Sequence, residues 1–188
     1  LGAALERVGH VVVACSAVSE VSKHRASVRL PDSEILPVDE VAGRCNLLLL
    51  AVPDTELESL VAGLAATSVV KPGTIVLHVS GAHGIGILAP LAEQGAVPLA
   101  VHPAMTFTGH DEDTARLAST CFGITAADEI GYAIAQALVL EIGGEPVRDT
   151  RIFYGRQNIE EDDIEAVANV LRGNLITCGP AVEALEKQ

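Results

Sequence analysis

The sequence predicts an α/β fold, a doubly wound and mostly parallel sheet with helices on both faces, followed by a short helical appendage. Three observations carry this. Residues 46–54 (NLLLLAVPD) and 73–81 (GTIVLHVSG) are short apolar blocks that stop at small, polar, Pro or Gly residues. A strand buried on both faces of a parallel sheet has that pattern. Helix-like segments alternate with such blocks through the first 150 residues. Apolar residues make up 49% of the chain, aromatic residues only 3%, and Trp is absent. The core is therefore aliphatic, with Val and Leu strands under Ala-rich helices.

In order, residues 1–8 read as the end of an amphipathic helix closed by Gly9. Residues 10–15 (HVVVAC) read as a strand, 17–30 as a helix ended by Pro31, 35–37 as a short strand and 39–44 as a short helix. Strand 46–52, helix 55–65, strand 74–79, helix 85–94 and strand 97–101 follow. A loop over 102–113 leads to a strand at 121–125, a long helix at 127–142 ended by Gly143 and Gly144, and a last strand at 145–148. These form one domain over residues 1–150. Residues 151–188 form the appendage, with acidic residues at 160–163, a helix over 162–172 and another over 181–187. Ile164, Val167, Val170 and Leu171 recur at helical spacing, so that face needs a surface to cover. If the arm reaches across to a second copy, a homodimer results.

A net charge of −13 argues against nucleic acid or an anionic membrane as partner. No apolar run is long enough for a membrane span. The chain opens at Leu1 with no charged-then-apolar leader, so a cytoplasmic protein without a signal peptide is expected. Cys15, Cys45, Cys121 and Cys178 are far apart, with no C-x-x-C pair. Reduced, buried thiols are expected, and no metal site.

In open α/β sheets, ligands bind at the carboxyl ends of the strands. The second strand ends at Cys15–Ser16, without the acidic residue that holds ribose hydroxyls in NAD sites. Ser16 with Lys23 and Arg25 nearby suits a 2′-phosphate, hence NADP; the other reading is a solvated basic helix face. Ala51, Val52 and Pro53 form the next tip, whose backbone would line the nicotinamide ribose, while Asp54 reads as an N-cap. The following tip carries His78, Ser80, Gly81 and His83, and His102 ends the strand after it. Ser80 and His102 thus stand in one row, where a hydroxyl and an imidazole can hold a carbonyl and its proton donor. A lone strand histidine such as His78 is more often a satisfied structural residue than a catalyst.

LLLLAVPDTEL, VLHVSGAHGIGILAPLAEQGA and AVHPAMTFTG together resemble the Rossmann-like domain of ketopantoate reductase-like proteins, in the wider superfamily of pyrroline-5-carboxylate reductase and prephenate dehydrogenase. The resemblance covers about residues 1–153. It implies an NADP-dependent reductase of a small oxo or imino acid such as ketopantoate. The nicotinamide would lie over Ala51–Pro53, and substrate would face Ser80 and His102 beside Gly81. The family's first strand and Gly-rich turn, which hold the pyrophosphate, are not read here. Leu1–Leu5 is similar to the residues after that turn.

Residues 154–188 are similar instead to the N-terminal arm of PLP-dependent sugar-nucleotide aminotransferases, through Tyr154, Gln157, Ile159, Asp163, Ile164, Leu171, Thr177, Gly179, Pro180, Val182 and Glu186. The join reads as a fusion. Neither Lys23, Lys71 nor Lys187 can be assigned as a Schiff-base lysine, so PLP binding is not expected. Two other readings remain: a fragment named for the aminotransferase, and a non-catalytic nucleotide-binding remnant.

Overall fold

A computed structural model describes residues 1–148 of the 188. The appendage expected over 151–188, with the two helices expected in it, the segment carrying the aminotransferase-arm resemblance and Cys178 all lie outside the described residues. The fold is α/β with a mostly parallel central sheet.

Seven strands form two sheets among the described residues. Strands β1 (Ala14–Cys15) and β2 (Glu34–Ile35) pair in parallel. Strands β3 (Leu47–Leu50), β4 (Ile75–His78), β5 (Val97–Pro103), β6 (Cys121–Ala126) and β7 (Glu145–Arg148) form a five-stranded sheet in that order. Helices α1 (Gly2–Arg7), α2 (Glu20–Arg29), α3 (Val38–Arg44), α4 (Asp54–Thr67), α5 (Ala89–Ala92), α6 (Glu112–Arg116) and α7 (Glu129–Glu141) connect them.

The apolar blocks form strands because each side chain finds a buried face. Leu48, Leu50 and Val76 pack toward α3, α4 and α5, in a cluster with Ala42, Val61 and Leu91. Leu77, Leu99, Phe122 and Ile124 point the other way, into a second cluster with Ala4 of α1 and Val139 of α7. Both faces of β3, β4 and β5 are thus covered, as parallel strands require. Ser19 caps α2 by accepting a bond from the Ser22 N–H, and Asp128 caps α7 through the Gly131 N–H.

Several expectations need correction. The strand expected over 10–15 is reduced to Ala14–Cys15, because β2 offers only two residues to pair with; Val11 stays exposed. Pro53, not Asp54, occupies the N-cap position of α4, and no side chain caps it. Asp54 is the first helical residue, where its charge suits the helix dipole. The helix expected over 85–94 begins as a 3-10 turn, Ile85–Leu88, and becomes α-helical only at Ala89–Ala92, where Pro90 fits the first turn. The loop expected over 102–113 contains part of β5 and the start of α6. Strand β6 runs antiparallel to β5, since the connection through α6 stays at the carboxyl end of β5, where Pro103 pairs with Phe122, instead of crossing over. Cys121 is exposed, and Cys15 and Cys45 only half-buried, where buried thiols were expected.

Phe122 is fully buried at the centre of the second cluster, and its ring lies against Gly144, where an added Cβ would collide with it. Phe122→Ala is expected to lower stability by about 3–5 kcal/mol, since the site is walled by β5, α7 and the Gly143–Gly144 turn and cannot collapse freely. Denaturant unfolding monitored by circular dichroism checks this.

Candidate functional site

The ladder register determines which side chains meet. Leu50 of β3 pairs with His78 of β4, and His78 with Ala100 of β5. Strands β3 and β4 therefore end at the same level, while β5 runs on to Pro103, with Ala51, Val79 and Val101 next along each. Side chains alternate, so Ser80 and His102, two residues beyond the His78–Ala100 pair, project to the same face. Both line one cavity of about 60 Å³ with Gly81, His83, Thr125 and Gly123. A second void of about 20 Å³ is walled only by apolar side chains such as Leu5, Leu47 and Phe122, and offers no group for chemistry.

Around the cavity the tip of β4 is closely tied. The His78 imidazole is fully buried. Its Nδ1 accepts the Ser80 N–H at 3.2 Å, and its Nε2 donates to the Gly84 carbonyl at 3.2 Å. Burial pushes the His78 pKa below its ordinary value; the Gly84 carbonyl and Asp54 oppose this, while His83 and His102 add to it. His78 is thus a satisfied buried group, as one of its two readings held. Ser80 Oγ accepts the Ala82 N–H at 3.2 Å, which leaves its own proton to donate elsewhere.

The His102 Nδ1–H donates to the Val79 carbonyl at 3.1 Å. In the neutral ring Nε2 is then the basic nitrogen, and in the cation it is a second donor. Gly81 lies flat against this imidazole: a Cβ there would stand 2.7 Å from Cε1 and 2.8 Å from Nε2. Only glycine lets the chain pass so close to the ring without displacing it.

Other expected site residues lie elsewhere along the same edge. Ala51, Val52 and Pro53 lead from β3 into α4; Ala51 and Pro53 are exposed, and none of the three walls the cavity. Ser16 is exposed just past β1. Lys23 is exposed and pairs with Glu20 at 2.8 Å. Arg25 is exposed and makes no ion pair or hydrogen bond among the described residues. Its neighbour in the basic cluster, Arg29, instead donates to the Gly109 carbonyl at 2.8 Å and lies 3.1 Å from Asp111, tying α2 to the loop after β5.

Sequence reasoning missed the part of the wall that β6 and β7 supply: Cys121, Gly123, Thr125 and Val147. A signal existed, because Cys121, Gly123 and Thr125 fall at period two between Phe122 and Ile124. Cys121 donates to Glu145 at 3.4 Å, and that bond, with the carboxylate's charge, raises its pKa. The thiol is therefore a weak nucleophile. Among the described residues no three His, Cys, Asp or Glu side chains are grouped so as to hold a metal ion, and no helix is long and apolar enough to cross a membrane.

The loop after β5 is fixed by Asp113. This buried carboxylate accepts the N–H groups of Thr108 and Gly109 at 2.9 and 2.8 Å and the Thr108 hydroxyl at 3.0 Å, with Arg116 at 3.4 Å. Burial alone would raise its pKa, but the Gly109 and Thr108 donors and Arg116 hold it below the ordinary carboxylate value.

Residues 1–103 match the family described as the Rossmann-like domain, and the chain belongs to that family. No curated protein matches it in sequence. Among solved structures it is similar to a Bacteroides fragilis protein assigned as an NADP oxidoreductase, at 17% identity and a TM-score of 0.63 over 90% of this chain and 60% of that one. It is similar also to a pyrroline-5-carboxylate reductase from Coxiella burnetii, at 13% identity and a TM-score of 0.57 over 97% of this chain and 63% of that one. A prephenate dehydrogenase from Aquifex aeolicus matches at 12% identity and a TM-score of 0.57, over 77% of this chain and 55% of that one. This chain thus spans less than two thirds of each of these proteins, and at such identities the likeness is one of fold.

Because the Asp113 pKa is lower folded than unfolded, its contribution to stability is complete above the unfolded value, near 4, and is lost as pH falls through the folded value. Asp113→Asn should therefore flatten the acid limb of the stability curve and leave the two proteins closest at the lowest pH. Parallel acid-unfolding curves for the two would show that Asp113 carries no such linkage.

Proposed function

We propose that the chain is the dinucleotide-binding part of an NADP-dependent oxidoreductase that reduces the carbonyl or imine of a small oxo or imino acid, ketopantoate being one such substrate. The observation that carries this reading is the convergence of Ser80 and His102 on one cavity at the carboxyl edge of a parallel sheet. The likeness in fold to nicotinamide-linked reductases and dehydrogenases supports it.

The residues present suit such a cofactor. Ser16 and Arg25 stand beyond β1, where a 2′-phosphate would meet a free guanidinium and no carboxylate at the strand end. Ala51, Val52 and Pro53 offer backbone at the next tip toward the nicotinamide ribose. The cofactor, when bound, supplies hydride. The chain's own groups then handle the proton and the orientation. The Ser80 hydroxyl donates to the substrate oxygen or nitrogen and orients it. His102, held by the Val79 carbonyl at Nδ1, delivers its proton from Nε2. Thr125 and Gly123 shape the opposite wall, where small side chains leave room for a compact substrate.

Two outcomes test this reading. In a fluorescence titration NADPH should bind at least ten times more tightly than NADH. Arg25→Ala should weaken NADPH alone, by the roughly 1.5–3 kcal/mol of a charge-assisted contact. Equal affinities would contradict the assignment. Turnover, followed by loss of NADPH absorbance with a panel of small oxo acids, should fall by about 10²–10⁴-fold in His102→Ala at unchanged NADPH affinity. An unchanged rate would remove His102 from the chemistry.

A further inference from the structure

We propose that His78 is a positioning residue for His102 and acts on it through the single Val79–Ser80 peptide unit between the two rings. The inference rests on the reading of His102 as proton donor, and it assigns a role to a buried ring that does not itself line the cavity.

In a planar trans peptide, the C=O of one residue and the N–H of the next point in opposite directions and turn together. Here both ends of one unit are held by imidazoles. The Ser80 N–H donates to His78 Nδ1 at 3.2 Å, and the Val79 carbonyl accepts from His102 Nδ1 at 3.1 Å. His78 is anchored in turn by its Nε2–H on the Gly84 carbonyl at 3.2 Å. Each bond specifies the next. A donor to Gly84 requires the proton on His78 Nε2. His78 Nδ1 is then an acceptor, which aims the Ser80 N–H inward and the Val79 carbonyl outward. That carbonyl selects the His102 tautomer with its proton on Nδ1, so Nε2 is the nitrogen that exchanges a proton. Turning the peptide breaks both ends at once.

The arrangement requires a neutral His78, because a protonated Nδ1 would face the Ser80 N–H. The ring is fully buried, which favours the neutral form. The charged or titratable groups facing it come from three elements: His83 on its own tip, Asp54 at the start of α4, and His102 at the end of β5. Of these only Asp54 favours the cation.

The test reads the His102 tautomer by long-range ¹H–¹⁵N spectra of the histidine-labelled full chain at about pH 8, without cofactor or substrate. In the unsubstituted protein His102 should show one tautomer, protonated at Nδ1, and His78 the opposite one. His78→Asn places an amide oxygen where Nδ1 stood and should keep the His102 tautomer single. His78→Gln, which keeps a donor toward Gly84 but no acceptor beside Ser80, should give mixed tautomers, as should His78→Leu. Turnover should fall about tenfold in kcat at unchanged KM for Gln, with recovery in Asn. A single, unchanged His102 tautomer in folded His78→Gln or His78→Leu would overturn the proposal, as would a mixture in His78→Asn. If the tautomers behave as stated while His102→Ala leaves NADPH consumption unaltered, the coupling between the rings stands and the proton-donor reading of His102 falls.

Discussion

The in-register parallel ladder of β3, β4 and β5 is the constraint on which the rest depends. Leu50, His78 and Ala100 form one rung. Because the strands are parallel, the tips of β3 and β4 emerge side by side next to the last residues of β5. Because side chains alternate, a two-residue step beyond the rung brings Ser80 and His102 to the same face. A slip of one residue in either strand would turn one of them into the opposite layer and place a leucine or valine at the cavity. The register is guarded by burial: Val76, Leu77, Leu99 and Val101 are each almost completely enclosed, so a slip would force polar tips into the aliphatic clusters.

That same ladder explains why polar groups cluster where they do. Backbone groups within the sheet satisfy one another, but at the carboxyl edge the ladder ends and N–H and C=O groups need other partners. His78, Ser80 and His102 supply them at the β4 tip, and Asp113 does so for the loop after β5. Arg29 joins that loop to α2, so the segment carrying the candidate 2′-phosphate site and the segment beside the cavity share a contact. The edge is therefore ordered by side-chain donors and acceptors rather than by a continuous strand.

Much of this was legible in the sequence. The LLLL and IVL blocks are apolar at every position because both faces are covered, and Gly73 and Asp54 bracket them with turn and helix-start chemistry. Ser80 and His102 could be placed in one row because their strands are consecutive and parallel. The antiparallel course of β6 was not legible, because Cys121, Gly123 and Thr125 alternate with Phe122 and Ile124 as any half-covered strand does, whichever way it runs. Nor was the Asp113 knot, since a carboxylate amid acidic, loop-like residues looks solvated until three donors close on it. His78 appeared as one polar residue at a strand end. Its role came from the peptide between it and His102, which no residue pattern records.

The proposal sets a small substrate in the cavity bounded by Ser80, Gly81 and His102, with the reactive ring of a bound dinucleotide against the mouth of that cavity. Intermolecular nuclear Overhauser effects from the nicotinamide H4 proton of NADPH, measured on the full chain at saturating cofactor, test this most directly. The account predicts cross-peaks to the His102 ring and the Ser80 β-protons. Cross-peaks confined to residues on the other face of the sheet, such as those of α1 or α7, would contradict it.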